Sequence, residues 1–320
     1  MNSYRSAQNS KIHIEDCHSP GFLFVRLLRT IFEAFLTSWG VILGFCIPFA
    51  VFLFCSLLRI RFQSAECMLF FMSAGLLYPF IVAVEEYSHC AVLIRLGHAQ
   101  AIQSLEIVCL HSASGRRWFP LRISVSFKKE FPDLESLFIL LAGPLCATLL
   151  LSMITFFMII FHVPIPFLSA WCVVMIGPLF SLIPIQQPMQ TDGYHIRILS
   201  RRLNLSRIDY FRCGAYSVGL VLSCIFQWPV GSLSSKSNPS IMKYSAWKLV
   251  QENRYSKAVD ILEEAYSRNP EDPELCNNLA CCYFKLNINR TWARELARMA
   301  VQMDGGNRNF LDTYDQVKDF

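Results

Sequence analysis

Charged residues are scarce in this chain, and several long stretches lack them altogether. Only 17% of the 320 residues are Asp, Glu, Lys or Arg, whereas 53% are hydrophobic. A soluble domain of this size carries about 25% charged residues and no long apolar run, so the composition excludes an ordinary soluble enzyme. About 20 apolar residues in a helix cross the hydrocarbon core of a bilayer. Five stretches without any charge are therefore predicted to span a membrane: residues 36–58, 68–84, 136–161, 167–185 and 213–230.

Disulfide and cysteine-ligand patterns are also missing, although the chain has 13 cysteines. No two of them form a C-x-x-C pair, and several lie inside the apolar stretches, where cysteine behaves as a small hydrophobe. We therefore expect neither a structural disulfide nor a cysteine zinc site.

The N-terminal part lacks the pattern of a secretory signal peptide. Residues 1–20 are polar, and no small-residue cleavage pattern follows a short apolar core. The next stretch, residues 22–35, carries Arg26, Arg29 and Glu33 among apolar residues, which is typical of an interfacial helix. Residues 1–35 are thus predicted to be a cytoplasmic segment that leads into the first span.

Basic residues cluster between the second and third predicted spans and again between the fourth and fifth. The positive-inside rule makes both loops cytoplasmic. With five crossings, everything after residue 230 is then expected on the opposite side. The basic residues flank spans and lack interleaved aromatics, so no nucleic-acid partner is expected. The sequence predicts a multi-pass integral membrane protein whose surroundings are the lipid bilayer.

Two segments break the pattern of membrane helices. Residues 104–110 and 121–127 alternate like strands, with a turn at Ser114 and Gly115, and predict a small β-hairpin between the second and third spans. Residues 231–240 read as a linker. The predicted fold is an all-α polytopic membrane protein with this hairpin inserted in its core (residues 36–230), followed by an α-helical repeat domain (residues 241–320).

The repeat has a period of 35 residues. Ala258 and Ala265 recur as Ala293 and Ala300, at positions where small side chains let two helices approach closely. This spacing resembles the tetratricopeptide repeat, which implies a protein partner for residues 241–320. A generic pair of helical hairpins remains the alternative.

A cluster of polar residues follows the second span directly, in the order Glu85, Glu86, Tyr87, Ser88 and His89. Ionisable residues at the end of a span are costly unless they are paired or bound to a metal, so they are functional candidates. On a helix, residues 85 and 89 share one face and Glu86 projects beside them. That is the geometry of H-E-x-x-H, in which two histidines hold zinc and the glutamate activates water. Glu85 occupies the place of the first histidine.

Three motifs in order resemble the site-2 protease family of intramembrane metalloproteases. The sequence EEYSHC resembles the family's H-E-x-S-H-A, Gly143-Pro144-Leu145 looks like its G-P-L span start, and Asp192-Gly193 lies where the family has its aspartate ligand. The resemblance covers about residues 68–205. It implies one zinc ion held by Glu85, His89 and Asp192, and Glu86 as the general base. Two carboxylate ligands also favour harder ions such as Mn or Fe(II).

His195 could supply a further nitrogen ligand, because it lies three residues after Asp192. An interfacial histidine near Arg197 is the simpler interpretation.

Three functional hypotheses remain open at this stage. In the first, the protein is a metalloprotease that cleaves a membrane-embedded segment or peptide near the cytoplasmic face. In the second, it is an inactive pseudoprotease that acts as a membrane scaffold and recruits partners through its repeats. In the third, the carboxylates form a proton or ion site of a transporter.

Overall fold

The computed structural model describes residues 10–13, 20–37, 64–111, 117–127, 131–163, 168, 171, 176–186, 191–230, 233 and 238–319. The chain divides into two compact units. The first comprises Met1–Arg202 and Cys213–Val230, and the second comprises Leu203–Arg212 and Gly231–Phe320. The predicted span 36–58 lies almost wholly outside the described residues, as do the turn at Ser114 and Gly115, much of the span 167–185 and most of the linker 231–240.

The first unit contains a three-stranded antiparallel sheet in the order β1-β2-β3. β2 (Ile102–His111) and β3 (Arg117–Phe127) are adjacent in sequence, and their pairing confirms the predicted hairpin. The short β1 (Ser10–His13) joins the other edge of β2. This third strand was not predicted, because four residues are too few to show an alternating pattern.

Two helices of the first unit pack along each other: α1 (Pro20–Thr37) and α2 (Ser64–Arg95). Leu23, Leu27 and Ile31 recur every fourth residue on one face of α1, and all three are buried. The Phe24 ring lies edge-on to the Tyr87 ring of α2, with 5.3 Å between the ring centroids. This packing holds the end of α2 that carries the polar cluster.

The helix α3 (Asp133–Ile160) changes character halfway along its length. Its first half is buried, whereas Met153, Phe156 and Ile160 in its second half are exposed. Such an apolar surface suits lipid better than water. Two described helices, α3 and α5 (Arg207–Phe226), are long and apolar enough to cross a membrane. The described residues thus contain candidates for two of the five predicted spans.

Between these two helices lies α4 (Asp192–Arg202), a short helix that begins at the predicted aspartate. α5 ends at Phe226, so residues 227–230 of the predicted fifth span are not helical.

The second unit contains five helices in its described part: α6 (Pro239–Gln251), α7 (Tyr255–Arg268), α8 (Pro273–Leu286), α9 (Arg290–Met303) and α10 (Arg308–Val317). Each consecutive pair packs together. The four alanines that define the predicted repeat, at positions 258, 265, 293 and 300, are completely buried. Small side chains at these helix contacts let the backbones approach, as the repeat period predicts.

Polar caps repeat with the same period. The side chains of Asn238, Asp272 and Asn307 accept hydrogen bonds from backbone N–H groups in the first turns of α6, α8 and α10. A cap satisfies a donor that has no partner inside the helix. The caps lie 34 and 35 residues apart and therefore mark the start of each repeat unit.

Candidate metal centre

The polar cluster of α2 is buried. Glu86 and His89 each expose 7% of their surface, and Ser88 bonds back to the Val84 carbonyl of its own helix. A glutamate and a histidine one turn apart with so little water around them need partners on other elements.

His89 has one partner on α3. Its Nδ1 lies 2.6 Å from the carbonyl oxygen of Ile139. A carbonyl can only accept, so Nδ1 carries the proton and donates. In a neutral ring the lone pair then belongs to Nε2, which is the arrangement found in histidines that bind metals.

The other nitrogen of His89 faces α4. Its Nε2 lies 3.5 Å from Oδ2 of Asp192, although about a hundred residues separate the two in sequence. A direct N–H···O hydrogen bond would measure about 2.7–3.2 Å. Two ligands that share one tetrahedral zinc ion, each about 2.1 Å from it, lie about 3.4 Å apart. The distance is compatible with a direct ion pair and also with two ligands that share one metal ion.

Gly143 of α3 leaves space for the His89 ring. A Cβ at this position would lie 2.3 Å from Nε2 of His89 and 2.4 Å from its Cε1. Any side chain here would push the imidazole away from its place. This contact accounts for the glycine of the Gly-Pro-Leu motif.

Gly193 leaves space for the backbone that carries Asp192. A Cβ at Gly193 would lie 2.1 Å from the carbonyl oxygen of Leu182, so only glycine lets the start of α4 approach residues 182–183. The Thr191 hydroxyl donates to the Ile183 carbonyl at 2.5 Å and accepts from the Ile185 N–H at 3.2 Å. These contacts fix the turn that presents Asp192.

The Glu86 carboxylate is bound by the sheet. Its Oε2 accepts a hydrogen bond from the backbone N–H of Val125 in β3, at 2.9 Å. The carboxylate also lies within electrostatic range of Glu85, His89 and Asp192. The Val125 N–H thus orients Glu86, the predicted general base, through Oε2. This bond does not involve the other carboxylate oxygen, Oε1.

Glu85 lies close to the pair without completing a three-donor group. It interacts electrostatically with Asp192 and His89 and hydrogen-bonds with the Ser181 side chain. Among the described residues, no three His, Cys, Asp or Glu side chains are arranged to hold one metal ion. The structure thus brings Glu85, Glu86, His89 and Asp192 together, with His89 and Asp192 at ion-pair distance. The roles of these residues remain predictions.

His195 is not drawn into this group. Its ring lies edge-on to Tyr194, with 5.5 Å between the ring centroids. Within the described part of the chain, His195 makes no hydrogen bond or ion pair with His89 or Asp192, which favours the interpretation as an interfacial histidine.

A second, half-buried histidine–carboxylate pair was not predicted. His98 Nε2 lies 3.1 Å from Oε2 of Glu135. This contact joins the turn after α2 to the first turn of α3. No sequence signal marks this pair, because 37 residues separate its members.

Comparison with known proteins identifies the repeats alone. Residues 249–287 match the tetratricopeptide repeat family. No curated protein and no solved structure matches the chain. This match supports the C-terminal repeat module that the 35-residue period predicted, and tetratricopeptide repeats generally mediate contacts between proteins.

Proposed function

We propose that the protein is a metal-dependent intramembrane protease of the site-2 protease type. The observation that carries the proposal is the 3.5 Å separation of His89 Nε2 and Asp192 Oδ2. The sequence motifs required this convergence, and the two residues reach it from different helices. Gly143 and Gly193 each make room for one member of the pair, which ties the second and third motifs to the same place.

Electrostatics supports a cation at this point. Glu85, Glu86 and Asp192 bring three carboxylates into the range of one imidazole. Buried like charges repel strongly unless protons or a cation balance them. A divalent ion such as Zn, Mn or Fe(II) at His89 and Asp192 would balance two of the three negative charges.

The residues divide the chemistry between them. His89 and Asp192 would hold the ion, which when bound supplies Lewis acidity and makes water easier to deprotonate. Glu86 accepts the proton from the attacking water, because the Val125 N–H holds one of its oxygens in a fixed direction. The substrate is a membrane-embedded segment or peptide whose carbonyl reaches this buried site.

Metal content tests the proposal. The purified wild-type protein should contain about one metal ion per chain by mass spectrometry, and His89→Gln should lose it. Glu86→Gln should keep the metal, because it removes no ligand, but lower cleavage of a transmembrane reporter peptide about 100- to 10,000-fold.

Glu135→Gln is the matched control, because it removes a buried carboxylate that pairs with His98 and not with the site. It should change neither metal content nor cleavage. Wild-type protein without metal under all loading conditions would refute the proposal.

A second candidate is a pseudoprotease scaffold that recruits proteins through its repeats. Two observations favour it: the described residues hold no three-donor group, and the repeats match a family that binds proteins. In this case His89 and Asp192 form a plain ion pair. Glu86→Gln would then have no effect on function, whereas changes on the repeat surface would abolish it.

A further inference from the structure

The chain that leaves α5 returns to the turn that precedes it. The side-chain Nδ2 of Asn238 donates to the carbonyl oxygens of Leu203 at 3.0 Å and Asn204 at 3.3 Å. Asn238 is 4% exposed, so water does not compete for these bonds. Asn238, where the repeats begin, therefore lies beside Leu203 and Asn204, which precede α5 in the chain.

The same amide group also starts the first helix of the repeats. Oδ1 of Asn238 accepts a hydrogen bond from the N–H of Ile241 at 3.2 Å and caps α6. One side chain thus joins α6 to the Leu203–Asn204 turn. Nearby, the Ser245 hydroxyl donates to the Leu233 carbonyl at 2.5 Å, which ties the incoming chain to α6.

The chain is long enough for this return, and its first residues pack against α5. A helix of 20 residues rises about 30 Å, and the 12 residues from Phe226 to Asn238 can reach about 40 Å when extended. Val230 lies against α5, because a Cβ at Gly219 would be 3.8 Å from its Cγ1. Residues 227–230 therefore start back along the helix that they have just left.

We infer that the repeats lie on the same side of the membrane as the Leu203–Asn204 turn and the basic residues next to it, Arg201, Arg202 and Arg207. If α5 crossed the membrane and the chain did not return, the repeats would lie on the opposite side from the turn. Asn238, however, lies at the turn where α5 begins.

This placement replaces the expectation derived from five crossings. The protein partner of the repeats then resides in the compartment of the basic turn. The inference does not depend on the proposed protease activity, and it holds for a scaffold equally well.

Labelling with a membrane-impermeant maleimide tests the placement. Arg201→Cys at the end of α4 and Gln302→Cys on α9 both introduce exposed thiols, and His162→Cys after α3 marks the expected opposite side. The native Cys276 and Cys282 are buried. Labelling of the wild-type protein measures the background signal from the native cysteines.

In intact cells, Arg201→Cys and Gln302→Cys should behave alike and react only after permeabilisation, whereas His162→Cys should react at once. Reaction of Gln302→Cys in intact cells, with Arg201→Cys still protected, would overturn the inference.

A second experiment tests the anchoring by Asn238. Asn238→Ser keeps an acceptor for the Ile241 N–H but removes both bonds to the turn, and trypsin can cut the adjoining linker at Lys236. Cleavage at Lys236 should become about five- to thirtyfold faster, which is the effect of losing one or two hydrogen bonds on an opening equilibrium. Asn307→Ser is the matched control, because Asn307 caps α10 in the same way. Equal cleavage rates for the two variants would show that Asn238 does not anchor the module.

Discussion

The sharpest test of the site is the substitution Gly143→Ala. The added Cβ would lie 2.3 Å from His89 Nε2, whereas ordinary contact begins at 3.4 Å, so the ring must move by 3.4 − 2.3 = 1.1 Å. The ring cannot yield without cost, because Ile139 holds its Nδ1 at 2.6 Å. Crowding of this kind costs about 1–3 kcal/mol, and the loss of a buried hydrogen bond costs about as much again. Alanine gains about 1 kcal/mol of helix propensity over glycine, so the expected net loss is about 1–5 kcal/mol.

The assay is thermal unfolding in detergent, together with metal content. Gly143→Ala should lower the melting temperature by several degrees and weaken metal binding about 10- to 100-fold, because the ligand loses its orientation. Gly219→Ala is the matched control, since its Cβ would meet only the Val230 side chain at 3.8 Å. It should leave the melting temperature unchanged or raise it. An unchanged melting temperature and unchanged metal content for Gly143→Ala would refute the placement of His89 against Gly143.

Two further predictions concern the turn before α4 and the repeats. Gly193→Ala would place a Cβ 2.1 Å from the backbone oxygen of Leu182, which cannot rotate away, so the expected loss of stability is at least about 3 kcal/mol in thermal unfolding. In the repeats, burial lowers the pKa of Lys243, but the hydrogen bond to Glu274 and the charges of Glu274 and Asp272 outweigh it and raise the pKa above 10.5. Because the raised pKa belongs to the folded state, this stabilisation is complete below pH 10.5 and is lost as the pH rises through the raised value. The melting temperature of Lys243→Met should therefore be lower than that of the wild type at pH 8 and approach it as the pH rises through the raised pKa of Lys243; a difference that does not depend on pH would contradict the ion pair.

Some features of the site followed from spacing alone. A glutamate at 86 and a histidine at 89 share one side of any helix, so their proximity needed no tertiary information. The presence of glycines at 143 and 193 could also be read from the sequence. The reason for each glycine could not, because it is the contact with the His89 ring in one case and with the Leu182 backbone in the other.

The repeats were predictable for a related reason. Their helices contact neighbours close in sequence, so the pattern of buried alanines records the packing directly. The caps at Asn238, Asp272 and Asn307 repeat with nearly the same period and offered a second signal that the sequence analysis overlooked. Attention to polar residues before Pro239 and Pro273 would have located the helix starts.

The sequence by itself determined two of the apolar helices, the hairpin and the repeats, because each depends on a pattern along a continuous segment. Only the tertiary structure decided which atoms meet. His89 turns one nitrogen to the Ile139 carbonyl and the other to Asp192, and Val125 holds Glu86. The inferred side of the repeats likewise rests on a tertiary contact. Counting spans assumes that every apolar helix crosses, whereas the bonds of Asn238 show that the chain after α5 comes back to where that helix began.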